Sequence, residues 1–197
     1  MKIEISPTLP LFLVSLAASK DILAVVIPLS AAFIHECGHL AAAKAMKIRI
    51  TSMRLGIFGA AINTDLLQCS YRKEALFALC GPLANLISSG LFLAIFGIRG
   101  QYSLLFLISS LFFAVLNLLP AGSFDGGRIF TSALHSILSE RIAHYVAETV
   151  SFITVFILWL TSVYLIFKTG AYLSLFIFSL SLFAALFLSE SSRCGRN

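Results

Sequence analysis

The sequence predicts an all-α polytopic membrane protein of about six transmembrane helices, with a short re-entrant β-hairpin between the second and third. Three observations carry this. Of 197 residues, 59% are hydrophobic and only 12% are charged, against about 25% charged in a soluble domain. Apolar runs of about 20 residues recur along the chain, the length a helix needs to cross a bilayer. The basic residues are also distributed unevenly between alternate connections. A water-soluble globule is excluded, since one small core cannot hide this much apolar surface. A single membrane domain over 1–197 accounts for the length, with 189–197 as a short cytoplasmic tail.

The elements follow in order. A short apolar run over Pro7–Ser19 ends at Lys20-Asp21 and reads as a first span, because that charged pair is a poor signal-peptide cleavage site. Further spans fall at Ile22–Ala43, Ala75–Ile98, Tyr102–Leu119, Thr149–Phe167 and Ala171–Leu188. With both termini in the cytoplasm, Lys2, Lys44, Lys47, Arg49, Arg54, Arg72, Lys73, Arg128, Arg141, Arg193 and Arg196 lie on that side, leaving Lys20, Arg99 and Lys168 opposite. That is the asymmetry expected of short loops. Between the second and third spans, Ile48–Asn63 (IRITSMRLGIFGAAIN) is too apolar for an ordinary loop and too Gly-broken for a helix. Its alternation around Gly56, Phe58 and Gly59 predicts a hairpin that dips toward the bilayer, where non-helical backbone needs protein or a wet cavity beside it.

The net charge of +5 has no basic run or basic-aromatic stripe behind it, so nucleic acid is not an expected partner. Cys37, Cys69, Cys80 and Cys194 form no CxxC pair and no secreted framework, so they read as small fillers in or near a reducing cytosol.

Chemistry concentrates in the second span, where His35-Glu36-Cys37-Gly38-His39 forms an HExxH motif. Positions i and i+4 share one helix face, so both imidazoles can reach one metal ion. Glu36, next to them, can take a proton from water on that metal without being a ligand. Cys37 lies about 200° around the helix from His35 and points away. Ionisable groups inside a span are costly and mark a site. A catalytic zinc needs a third ligand, His, Asp or Glu. Asp125 stands out in Asn117-Leu-Leu-Pro-Ala-Gly-Ser-Phe-Asp125-Gly-Gly, after the fourth span and on the side toward which His39 points. There Pro120 ends a helix and the glycines permit a tight turn. The plainer alternative is a loop aspartate capping the next helix. Asp65 and Glu74 are weaker candidates, and His135 and His144 fall in a polar stretch.

These residues resemble the site-2 protease family of intramembrane zinc metalloproteases. The resemblance covers roughly positions 30–130 and rests on three motifs in family order: HECGH at 35–39, Gly81-Pro82-Leu83-Ala84-Asn85 and NLLPAGSFDGG at 117–127. It implies that His35, His39 and Asp125 bind one Zn²⁺, that Glu36 is the catalytic base, and that Asn85 and Asn117 support the substrate or its oxyanion. It also implies that the hairpin pairs with an extended stretch of a membrane-protein substrate. Six spans look most like the branch of the stage IV sporulation protein FB, which points to a prokaryotic cell membrane. That branch carries a CBS-type domain after its last span, where Ser189–Asn197 stand here. The family's FGG is Phe58-Gly59-Ala60 in this chain. The expected function is therefore metal-assisted cleavage of a peptide bond in or near a transmembrane segment. The alternatives are a catalytically silent holder of client helices and a metal or solute transporter, against which no internal repeat is visible.

Overall fold

Asp21 starts the first long helix, its Oδ1 accepting from the Ala24 N–H at 3.2 Å in the computed structural model. The structure describes residues 2–5, 21–48, 50–56, 59–64, 70–169 and 173–194. It contains β1 (Lys2–Ile5), α1 (Ile22–Ala45), β2 (Ile50–Gly56), β3 (Gly59–Thr64), α2 (Tyr71–Phe96), α3 (Gln101–Asn117), α4 (Asp125–His135), α5 (Glu140–Thr169) and α6 (Leu173–Cys194). These form two compact units, Met1–Leu118 and Leu119–Asn197.

In the first unit α1, α2 and α3 pack on one another. The pattern is reversed from that of a soluble bundle. On α1 the buried positions are Ala31, Ala32, His35, His39, Ala42 and Ala43, whereas Ile22, Leu23, Val26 and Phe33 face outward. Small residues inside and large apolar ones outside are what lipid-facing helices require, since lipid gives Leu no reason to turn inward. Gly38 sets the α1–α2 approach: a Cβ there would overlap the Cys80 carbonyl oxygen and stand 2.7 Å from Ala84 Cβ.

Helix α1 ends in a Schellman arrangement. Lys47 N–H donates to the Lys44 carbonyl at 3.3 Å and Ile48 N–H to that of Ala43 at 2.8 Å. This places Lys47 at φ 56°, where glycine is the usual residue. Ile48 then packs with Ala42, Ala43 and Phe77, tying the end of α1 to the start of α2. At the other end of the unit Gly97 and Gly100, both at positive φ, turn the chain from α2 into α3. Tyr102 OH donates to both Asp21 carboxylate oxygens, at 3.2 and 3.3 Å, clasping α3 to the start of α1.

The hairpin between the second and third expected spans is present: β2 pairs antiparallel with β3, Gly56 opposite Gly59. It is not an isolated hairpin, and the chain is not all-α. Strand β1 pairs parallel with β2, Lys2 opposite Ser52, giving a sheet in the order β1-β2-β3. Within that sheet β3 is an outer strand, and it packs against α1. The expected Phe58 position and the span at 7–19 lie outside the described residues.

Among the described residues, three helices are long and apolar enough to cross a membrane, over Ile22–Met46, Tyr71–Phe96 and Glu140–Thr169. Gln101–Asn117 and Leu175–Ala184 are shorter apolar helices. In the second unit α5 packs on α4 and α6. Ser162 and Ser179, both buried, share a hydrogen bond at 3.0 Å across the α5–α6 contact. Phe183 of α6 meets Phe152, Phe156 and Trp159 of α5 edge to face across the same two helices.

Candidate active site

The two histidines of the HExxH motif lie on the buried face of α1, 5% and 6% exposed. Their Nε2 atoms face each other at 3.2 Å, with the rings nearly perpendicular at 80°. His39 Nδ1 stands 3.1 Å from the Phe77 carbonyl oxygen on α2. A carbonyl only accepts, so Nδ1 carries the proton in this contact, and the neutral form of this imidazole has its lone pair at Nε2. Donation from the distal nitrogen to a carbonyl is the usual way a protein orients a metal-binding imidazole. A tetrahedral zinc with Zn–N near 2.05 Å separates two nitrogens by about 3.3 Å, so the pair fits one ion without rearrangement.

Helix α2 makes this arrangement possible at Gly81. A Cβ there would overlap His39 Nε2 and lie 2.7 Å from His39 Cε1 and 2.8 Å from His35 Cε1. The Gly of the GPxxN sequence is therefore the floor against which both imidazoles rest. Phe77, Ala78, Gly81, Pro82 and Asn85 form the buried stripe of α2, so Asn85 falls on the histidine-facing side one turn further along. Its side chain is fully buried. Glu36 is adjacent to His35 and partly buried. Cys37 and Cys80 are free thiols of intermediate exposure.

Asn117 is the last residue of α3, and its Nδ2 donates to the Phe113 carbonyl at 3.0 Å, one turn back along its own helix. Gly56 and Gly59 close the hairpin. The structure gives backbone pairing for these two, and Phe58 between them is not among the described residues.

In the second unit Asp125 is 7% exposed and opens α4. The preceding turn is built by its own hydrogen bonds: Phe124 N–H donates to the Ala121 carbonyl at 2.8 Å, and Gly122 N–H to Ser151 Oγ at 2.8 Å. Asp125 is thus not the cap residue, a position held by Phe124, which makes no side-chain capping bond. Its carboxylate sits in the first turn, where the helix dipole favours negative charge. Gly127 is needed for a different reason from the tight turn the sequence suggests. Its φ is not positive, but a Cβ would overlap the Ala121 carbonyl, so glycine lets the turn fold back on the start of α4.

Sequence reasoning missed two contributors to the histidine geometry. The Phe77 carbonyl is a backbone group that no residue type could announce. Gly81 was visible within its motif, but its contact becomes apparent only when α1 and α2 are packed together.

The solved structure of the site-2 protease from Methanocaldococcus jannaschii is similar in fold. It superposes with a TM-score of 0.63 at 21% identity, over 93% of this chain and 88% of that one. No curated protein matches the sequence. The model of peptidase family M50 matches residues 22–103 and 96–161, well over half of the chain and spanning the HExxH helix, GPxxN and Asp125. A buried HExxH pair on an apolar helix and a family match of this extent lead to one conclusion: the chain belongs to peptidase family M50, the site-2 protease type of membrane metallopeptidase.

Proposed function

We propose that the protein is an intramembrane zinc endopeptidase that cuts a peptide bond in or near a transmembrane segment of a membrane-associated substrate. The observation that carries the reading is the histidine pair: two buried Nε2 atoms 3.2 Å apart on one face of a membrane-length helix. His35, His39 and Asp125 are the ligand set, each buried and each offering one ligand atom. Two imidazoles and a carboxylate, with a fourth position left to water, suit a catalytic zinc. When bound, the ion supplies Lewis acidity to a carbonyl and lowers the pKa of water. Glu36 accepts the proton as water attacks and returns it to the leaving amine. The Phe77 carbonyl keeps His39 in one tautomer throughout.

A helical substrate carbonyl is already hydrogen-bonded and shielded, so the cleaved segment has to unwind. The outer edge of β3, a strand that packs against α1, offers main-chain partners to such a segment. Gly56 and Gly59, paired at the hairpin end, help position it, with Phe58 assigned to the same segment by the resemblance alone, and Asn85 and Asn117 are the amides assigned to the substrate backbone or oxyanion. The topology that suits this is six spans in one membrane domain, the first over residues 7–19, with a re-entrant hairpin and both termini cytoplasmic. The distribution of basic residues supports that orientation. The membrane in this reading is a prokaryotic cell membrane, and the sporulation protein's own substrate is not carried over to this chain.

The test is metal content of detergent-purified wild type and Asp125→Ala, with cleavage of a helix-destabilised transmembrane peptide in proteoliposomes scored alongside. Stoichiometric zinc that falls in Asp125→Ala, and cleavage lost to a chelator and restored by zinc, are the expected results. Absence of zinc under zinc-replete conditions overturns the reading in favour of a client-holding protein. Zinc uptake into the vesicle lumen without cleavage overturns it in favour of a transporter.

A further inference from the structure

Among the described residues of the first unit, two polar side chains are 0% exposed and hydrogen-bond to no other protein group: Asn85 on α2, at both Nδ2 and Oδ1, and Ser110 on α3, at Oγ. Burial without a partner is unfavourable for an amide and a hydroxyl alike. Their places in the fold are related. Asn85 follows Gly81, which touches both imidazoles, by one turn on the same face, about 6 Å along the axis. Side chains lean toward the N-terminus of their helix, so the Cα–Cβ bond of Asn85 tilts toward the turn that holds Gly81. Asn85 lies 11 residues before the end of α2 and Ser110 9 residues after the start of α3. The two are thus at similar depths, about 16 and 14 Å from the turn that joins the helices. Nearer that turn the Phe92 and Phe106 rings meet at 4.8 Å between the same helices. Ala31, one turn before His35, and Ala114, one turn beyond Ser110, are also fully buried and small.

We propose that Asn85 and Ser110 hold an internal water molecule between α1, α2 and α3, one helical turn from the histidine pair. A water offers two donors and two acceptors, matching an amide with both functions and a hydroxyl with both. Buried waters take this role wherever polar groups would otherwise be stranded. The Phe92–Phe106 pair packs between the same helices on the side of the turn, and the histidine level lies one helical turn the other way. Peptide hydrolysis consumes one water per bond broken, and a bilayer interior supplies none. Ser110 is then a positioning residue for that water. This last step rests on the protease reading, whereas the presence of the water does not.

Water-edited solid-state NMR of the full chain in lipid bilayers tests the proposal. With ¹⁵N-asparagine labelling only four side-chain amides are seen, and the Asn85 signal is the one lost in Asn85→Leu. The expected result, with or without zinc and also in Glu36→Gln, is rapid transfer of water magnetisation to Asn85 Nδ2. Ser110→Ala abolishes the transfer and lowers kcat at unchanged KM, and Ser110→Thr restores both. A wild-type Asn85 amide that receives no magnetisation overturns the proposal, because the two side chains then bond directly. Transfer that persists in Ser110→Ala overturns the role of Ser110. Full cleavage by Glu36→Gln refutes the protease reading and leaves the water signal as it was.

Discussion

Replacing Gly81 with Ala places one methyl group against both metal-facing imidazoles. Its carbon would stand 2.7 Å from His39 Cε1 and 2.8 Å from His35 Cε1, and would overlap His39 Nε2. Ordinary carbon contacts lie at about 3.5–4.0 Å, so the rings must retreat by roughly 1 Å. Zinc ligation tolerates about 0.2 Å, and disturbing the groups that orient ligands costs about 10–100-fold in metal affinity. That is about 1.4–2.8 kcal/mol of binding free energy. Gly90→Ala is the control. It lies on the same helix with nothing within 4 Å of the added carbon. Exchanging glycine for alanine inside a helix is itself stabilising by about 0.5–1 kcal/mol, so a folding defect is not the expected outcome at Gly90. The assay is competition for zinc between purified protein and a chromophoric chelator in detergent. Gly81→Ala should lose affinity and Gly90→Ala should not. Equal affinity in the two variants would refute the claim that the α2 backbone forms the floor of the site.

Three further outcomes follow from the same geometry. Asp125→Ala should weaken zinc binding by more than about 100-fold while leaving helix content unchanged by circular dichroism, since the role proposed for Asp125 is that of a direct ligand, which outweighs an orienting group. Lys47→Gly should raise thermal stability by about 1 kcal/mol, because Lys47 holds φ 56° in the Schellman turn and glycine adopts that region without strain; an unchanged or lower Tm contradicts this. Gly127→Ala should lower stability by about 1–3 kcal/mol, as its methyl overlaps the Ala121 carbonyl and forces the turn before Asp125 to shift; a Tm at or above wild type would show that the turn yields freely.

The parts of this molecule that were legible in sequence are those governed by local periodicity. His35 and His39 could be paired without a structure because i and i+4 share a helix face, and the apolar runs located α1, α2 and α3 within a few residues, while α5 begins nine residues before its apolar run, at Glu140. The hairpin was readable from alternation around Gly56 and Gly59. Strand β1 was not read, although Lys2-Ile3-Glu4-Ile5 alternates as a strand should; four residues before Pro7 are too few to stand out until β2 supplies a partner. Asp125 was identified by elimination among few acidic residues, but its position at the start of α4, rather than in a loop, depends on the hydrogen-bonded turn at 121–124. The roles of Gly38 and Gly81 were hidden for a common reason. A close approach between helices leaves no periodic signature, only a missing Cβ.

In the proposed function Glu36 moves protons for a metal centre assigned to His35, His39 and Asp125. The most direct test is Glu36→Gln, compared with wild type for zinc content and for cleavage of the transmembrane peptide in proteoliposomes. The amide keeps the size of the side chain and removes its basicity. General acid–base catalysis contributes about 10²–10⁴-fold, so cleavage should fall by at least about 100-fold while zinc remains stoichiometric. Cleavage at the wild-type rate with zinc retained would contradict the account.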